Sequence, residues 1–278
     1  ALAASKQHYP VVHIEAGMRS FNKTMPEELN RIVADHASTL LFASTNTAFK
    51  NLMAEGFRPE NVAPYNINNP RIILTGDIMY DNSLFYAGLA DRKKQNFLEK
   101  MGLAEDQFVL VTIHRDMNTD DLGRLTAIFS TLMDLAEKNQ MIMVMPLHPR
   151  TLIALRDKVP VLYEKLSDNQ MIRIIRPVSF LEMILLEKKA ALIITDSGGV
   201  QKESHFFSKP SIVLRKETEW VELVKNGTVR LADADPGKIT AAWEYFMHNK
   251  ESLKYPGFYG DGKAAVKILQ EIIETFRN

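Results

Sequence analysis

Short runs of Val, Ile and Leu recur along this chain between longer amphipathic stretches, and that alternation restricts the fold more than any other feature. An apolar run of strand length fits a strand buried on both faces. Crossovers of helical length between such runs build a parallel sheet covered on each side. The runs predict strands over 11–15, 39–44, 71–75, 108–113, 141–147, 172–176, 191–195, 211–214 and 228–232. Helices are predicted over 26–37, 45–55, 79–102, 121–138, 150–158, 179–189, 199–207, 236–248 and 262–277. The expected class is α/β, with two Rossmann-like, doubly wound parallel-sheet domains. A length of 278 residues agrees with that number, at ~150 residues per domain.

The expected boundaries follow from where the strands fall. Residues 1–85 hold three predicted strands, 86–107 form a polar, charge-dense linker, and 108–250 hold six strands, enough for a complete second domain. The segment 251–278 ends in a helix expected to pack back on the first domain. Three strands are too few to close a sheet with both faces covered, so the first domain is expected to be truncated at its N-terminal side. The opening at Ala1 reads as that of a fragment or a processed chain.

Composition removes several functions. Lys and Arg number 34, as do Asp and Glu, so bulk electrostatics cannot hold a nucleic acid, and none is expected as a partner. With no cysteine there is no disulfide, thiolate zinc site, iron–sulfur cluster or cysteine nucleophile. The scattered His and carboxylate residues indicate no metal site. No apolar run approaches the ~18 residues of a membrane span and no secretory signal is seen, so no membrane partner and a cytoplasmic location are expected.

In open parallel sheets, ligands bind beyond the carboxyl ends of the strands. Four strand exits are unusually polar: HIEAGMRS at 13–20, IHRDMNTD at 113–120, PLHPR at 146–150 and TDSGGVQKES at 195–204. In the last, Gly198 and Gly199 open a helix whose free N–H groups can cradle a phosphate. Ser197 adds a hydroxyl, and the Glu203 carboxylate could accept both hydroxyls of a ribose. The plainer alternative is a tight turn with Ser197 as N-cap and Glu203 in solvent. His114 and Arg115 make either a second anion clamp or a loop histidine beside a surface arginine. Glu15 ends a strand against the Gly17 turn. Glu27 fits a capping box with Thr24 and an i,i+4 pair with Arg31, or, together with Glu15, a pair of acid/base carboxylates. His148 reads more simply as a polar loop residue than as a ligand contact. Phe180, Met183, Phe206 and Phe207 read as core.

HIEAGMRS followed by MPEELNR, then GDIMYD, TIHRDMNTDD, TDSGGVQKES, KPSIVLRKETEWVE and YGDGKAA, in this order, resemble the non-hydrolysing UDP-N-acetylglucosamine 2-epimerase family. The resemblance runs over essentially the whole chain. It implies two domains of glycosyltransferase-B type with a UDP-sugar in the cleft between them; removing a poorly acidic C2 proton needs a closed, water-poor cleft, so hinge closure is expected near 76–107. The reaction inverts C2 of a UDP-2-acetamido sugar through anti elimination of UDP, a bound 2-acetamidoglucal and re-addition, with no metal or redox cofactor. The resemblance gives the acid/base roles to Glu15 and Glu27 and a part in UDP departure to His114. It gives the diphosphate to Ser197, Gly198 and Gly199, the ribose diol to Glu203, and the orientation of Glu27 to Arg31. It also implies a homodimer through the first domain, a place in cell-surface polysaccharide biosynthesis, and a possible allosteric site at His148.

Two departures stand out. The family's N-terminal region, with a further catalytic Asp, has no counterpart here, so a polypeptide starting at Ala1 is expected to bind UDP weakly without turnover. Many members carry Arg–Pro where this chain has Trp220–Val221. That segment looks more like the branch acting on UDP-2,3-diacetamido-2,3-dideoxyglucuronate, whose C6 carboxylate needs a cation such as Arg115 or Arg19. UDP-N-acetylglucosamine is ranked first and the uronate second. A UDP-sugar glycosyltransferase and a non-catalytic nucleotide-sugar-binding module remain as alternatives of the same fold.

Overall fold

The computed structural model describes residues 1–277, which divide into two compact units, 1–84 with 256–277, and Phe85–Tyr255. Each predicted apolar run becomes a strand. Unit 1 contains β1 (Val12–Ala16), β2 (Leu40–Ala43) and β3 (Arg71–Leu74) in a parallel sheet of order β1-β2-β3. Leu40 and Phe42 on β2 are buried against Ile268 and Ile272 of the helix Ala264–Phe276, whose apolar face points into this unit.

Two of the quoted motifs meet inside unit 1. The turn at Gly76 (φ +89°) and the turn at Gly260 (φ +91°) touch so closely that a Cβ on Gly76 would lie 2.9 Å from the Tyr259 carbonyl oxygen. Asp77 N–H donates to that carbonyl at 2.9 Å, and Asp81 Oδ2 accepts from Ala265 N–H at 2.8 Å. GDIMYD and YGDGKAA thus fasten the C-terminal segment to this unit.

Unit 2 contains β4 (Phe108–Thr112), β5 (Ile142–Pro146), β6 (Ile172–Ile175), β7 (Leu192–Thr195), β8 (Ser211–Val213) and β9 (Val229–Leu231). The six-stranded sheet has the order β6-β5-β4-β7-β8-β9, parallel throughout. The chain winds outward in both directions from the β4–β7 pair, which makes that pair the topological switch point. Val109 and Val111 face a core with Leu132, Ile194 and Trp243, while Phe108 and Leu110 face Leu186 and Ile193 on the opposite side.

The segment 86–107 is not a linker. Ala87 and Ala90 on the helix Ile78–Lys93 pack on Ile184 and Leu185, and Phe97, Leu98 and Met101 cover the cluster around Phe108. The predicted helix 79–102 breaks after Lys93 and resumes as Phe97–Lys100, with Lys94 bonded to Glu182 at 3.0 Å. A helix Pro160–Asp168, begun by its proline, and a short one at Val221–Asn226 are additions to the expected set.

Candidate active site

At the exit of β1, Glu15 is the extra residue of a bulge. Ile14 pairs with Phe42 and Ala16 with Ala43, leaving Glu15 out of the ladder. It sits at φ +65°, a left-handed conformation that costs a side-chain-bearing residue about 1 kcal/mol. The bulge re-aims this carboxylate away from the strand's alternation. Gly17 is equally constrained: at φ +79°, a Cβ there would lie 2.2 Å from the Ala48 carbonyl oxygen.

A buried charge network holds the bulge. Asp35, wholly buried on the helix Pro26–His36, accepts from Gly17 N–H at 3.1 Å, pairs with Arg19 at 2.7 Å and meets His13 Nδ1 at 2.6 Å. Arg19 also grips Glu55 with two hydrogen bonds of 2.6 Å. Burial works against the Arg19 charge, but its bonds to Glu55 and Asp35 outweigh that and raise its pKa above the ordinary arginine value. This corrects the expectation for Arg19: it is 2% exposed and bound inside unit 1, so it is not a cation presented to a substrate.

The expected local role of Glu27 also fails. The helix begins at Pro26 after a Met25 N-cap with no side-chain cap bond, and the Thr24 hydroxyl donates to Asn22 at 2.6 Å. Arg31 pairs at 3.3 Å with Glu28, not Glu27. Glu28 is the structural carboxylate. It is buried and accepts from Ser20 N–H and Phe21 N–H, each at 2.9 Å, tying the loop to the helix. Glu27 stays exposed at the helix's first turn.

Unit 2 builds a different kind of site at its switch point. Asp196, fully buried at the exit of β7, accepts from His114 N–H (3.1 Å), Arg115 N–H (3.0 Å) and Asn118 Nδ2 (3.0 Å). His114 Nδ1 lies 3.1 Å from the same carboxylate, and Arg115 Nε donates to the Asp196 carbonyl at 3.2 Å. Burial alone would raise the Asp196 pKa. The bonds from His114 and Arg115, the His114 charge and Asn118 overcome it and hold the carboxyl below its ordinary value. Asn118 is therefore part of this lock, and Asp121 caps the helix Leu122–Asn139 that follows.

Ser197 N-caps the helix Gly198–Phe206 by accepting from Val200 N–H at 3.5 Å. The Gly198 carbonyl is held from behind by Trp220 Nε1 at 2.8 Å. Glu203 folds back toward this end, its Oε2 3.9 Å from where a Cβ on Gly199 would stand. A cavity of about 380 Å³ opens here, bounded on its polar side by His114, His148 and Ser197 and on its apolar side by Pro177, Val178 and Met183. His148, N-cap of the helix Pro149–Lys158, faces the same cavity as His114. Met183 packs on the core cluster around Phe108, as expected, and also lines this space. Among the described residues, no group of three His, Asp or Glu side chains is arranged to hold a metal ion, and no helix is long and apolar enough to cross a membrane.

The family model for UDP-N-acetylglucosamine 2-epimerase matches residues 1–273. The chain belongs to that family. A Pseudomonas aeruginosa UDP-2,3-diacetamido-2,3-dideoxy-D-glucuronate 2-epimerase is 42% identical over 272 residues, 97% of this chain and 70% of that protein. The UDP-N-acetylglucosamine 2-epimerase of Methanocaldococcus jannaschii is 37% identical over 272 residues, covering 97% and 70% respectively. Among solved structures, that of the M. jannaschii UDP-GlcNAc 2-epimerase in complex with UDP-GlcNAc and UDP superposes with a TM-score of 0.84 at 35% identity, over 98% of this chain and 71% of that one. The Neisseria meningitidis enzyme bound to UDP-GlcNAc gives 0.82 at 28% identity, over 98% and 72%. These 2-epimerases share the parallel α/β architecture of glycosyltransferase-B type.

Proposed function

We propose that this epimerase inverts C2 of a UDP-2-acetamido sugar, with Glu15 and Glu27 as the acid/base carboxylates. The observation that carries the reading is the bulge at Glu15. A strained, re-aimed carboxylate is costly in a structural role and useful in a chemical one. One carboxylate removes the C2 proton. The C–H electron pair becomes the C1–C2 double bond, and the C1–O bond breaks with its electrons leaving on UDP. In the return step UDP re-adds at C1 while the opposite face of C2 is protonated.

Unit 2 serves the nucleotide in this reading. Ser197, Gly198 and Gly199 offer a hydroxyl and helix N-terminal N–H groups to the diphosphate, Glu203 accepts from the ribose hydroxyls, and Val178 and Met183 give the base an apolar wall. Asp196 at His114 Nδ1 orients the ring so that Nε2 can deliver a proton to the departing phosphate. Arg31 steadies Glu28, the carboxylate that ties the 20–21 loop to the helix carrying Glu27. The shared cavity favours a nucleotide-side role for His148 over a separate regulatory site. A homodimer through unit 1 and a cytoplasmic location complete the reading, and sedimentation and cell fractionation test them.

UDP-GlcNAc is the first substrate expected. The diacetamido-uronate is the second reading, favoured by Trp220–Val221 in the segment TEWVE and by the 42% relative. Arg115, half-buried, then supplies the cation for the C6 carboxylate. Turnover of the two sugars, followed by NMR, separates them. Faster epimerisation of UDP-GlcNAc supports the first. Faster epimerisation of the uronate, with that preference lost in Arg115→Ala, supports the second, and inversion of neither overturns both.

A further inference from the structure

Glu187 has no role in the chemistry above, yet it is an unusual residue to bury. It lies on the helix Phe180–Lys189, 1% exposed, and among the described residues its Oε2 has no hydrogen-bond partner. A carboxylate sealed from water without a cation is not tolerated; such a group takes up a proton. The lysines beside it are engaged elsewhere, Lys188 with Asp91 at 2.6 Å and Lys189 with Glu105 at 2.7 Å. Glu182, earlier on the helix, is held by Ser179 and Lys94.

Helix Gly198–Phe206 packs against this helix and presents Lys202, Glu203 and His205 among its titratable groups. His205 Nδ1 lies 3.4 Å from Thr228 Oγ1. The charge that acts on Glu187 is that of Glu203. Burial first, and then this neighbouring carboxylate, push Glu187 well above the ordinary range, and among the described residues no cation offsets them. Burial also raises Glu203, with the Lys202 charge opposing it. Glu187 is the more deeply buried of the two, and one of its oxygens has no partner among the described residues, so the proton rests there. Its orphaned oxygen then becomes an O–H donor, and the neighbouring Glu203 carboxylate offers it an acceptor.

We propose that Glu187 is a positioning residue: a neutral carboxylic acid that donates a hydrogen bond to Glu203 and fixes that carboxylate for the ribose diol. The inference rests on the UDP-sugar reading given above. Without the donor, Glu203 is free to turn and its grip on the ribose weakens, while the diphosphate cradle at Ser197–Gly199 is untouched.

The test uses UDP and 2′-deoxy-UDP as probes, titrated calorimetrically into the intact wild-type enzyme and its Glu187→Gln and Glu187→Leu variants. Wild type is expected to prefer UDP. Glu187→Leu should bind UDP about tenfold more weakly, the loss expected of one charge-assisted hydrogen bond, with 2′-deoxy-UDP almost unchanged. Glu187→Gln keeps an amide donor and should keep the preference. A second measurement needs no unstable variant: the infrared spectrum of wild type at neutral pH should contain a protonated carboxylic acid band that Glu187→Gln lacks. Wild-type preference for UDP that survives in Glu187→Leu, or a missing acid band, overturns the proposal alone. Equal wild-type affinity for the two nucleotides overturns the ribose reading, and the proposal with it.

Discussion

The exits of β1 and β7 solve opposite problems with the same device. In each, a wholly buried aspartate clamps backbone N–H groups: Asp35 at Gly17, Asp196 at His114 and Arg115. At β1 the clamped backbone is strained and offers a side chain, Glu15 at φ +65°. At β7 Asp196 clamps the neighbouring exit of β4, and the backbone that follows it, Ser197–Gly199, is an unstrained N-cap that leads into a helix and offers its own N–H groups. In the proposed reaction the difference matches what each exit would handle. Proton transfer needs one acid in one direction, whereas an anion can be met by several fixed dipoles.

The largest break in that comparison is expected from Glu15→Gln, which keeps size and backbone but cannot take a proton. Turnover should fall about a thousandfold, within the range of general acid–base catalysis, with UDP affinity held. Arg19→Met comes next. It leaves part of the Asp35 charge unpaired in the interior, and urea unfolding should show a loss of about 3 kcal/mol. Removal of the side chain then separates the two exits by sign. Glu15→Gly should stabilise the protein by about 1 kcal/mol through release of the left-handed strain while abolishing turnover. Ser197→Ala, by contrast, should cost about 1 kcal/mol through the lost cap and weaken UDP binding severalfold.

The smallest effect is on pH. The folded-state pKa of Asp196 lies below its ordinary value of about 3.9. Its contribution is therefore complete above that pH and is lost as the pH falls through the folded value. Unfolding free energy measured from pH 6 to pH 3 should drop less steeply in Asp196→Asn than in wild type.

Much of this was legible in the residues because buried parallel strands are continuous apolar runs, and both sheets follow from them. What was not legible shares one cause, competition decided in three dimensions. Thr24 with Glu27 and Ser179 with Glu182 carry the same capping signature. Only the second forms a box, because Asn22 takes the Thr24 hydroxyl and the buried neighbour Glu28, not Glu27, binds the preceding loop. The switch-point signal placed His114, Ser197 and Gly198 at one sheet edge. It gave no hint that Asp196 would be their organiser, although a carboxylate directly after a buried strand at that edge was the mark to look for. Arg19 and Arg31 looked alike as cations in polar segments, and burial alone distinguishes them. Glu187 was invisible within an apolar helix. Met183 followed the core periodicity of that helix, and only its added place at the cavity was hidden.

The central claim is that C2 of the sugar loses and regains a proton on carboxylates of unit 1. Incubating the intact enzyme with UDP-GlcNAc in D₂O and reading C2 by mass spectrometry and NMR tests it most directly. Deuterium at C2 of both epimers, absent with Glu15→Gln, is the result predicted. Tight binding of UDP-GlcNAc with protium retained at C2, or transfer of the sugar to an acceptor, would contradict it.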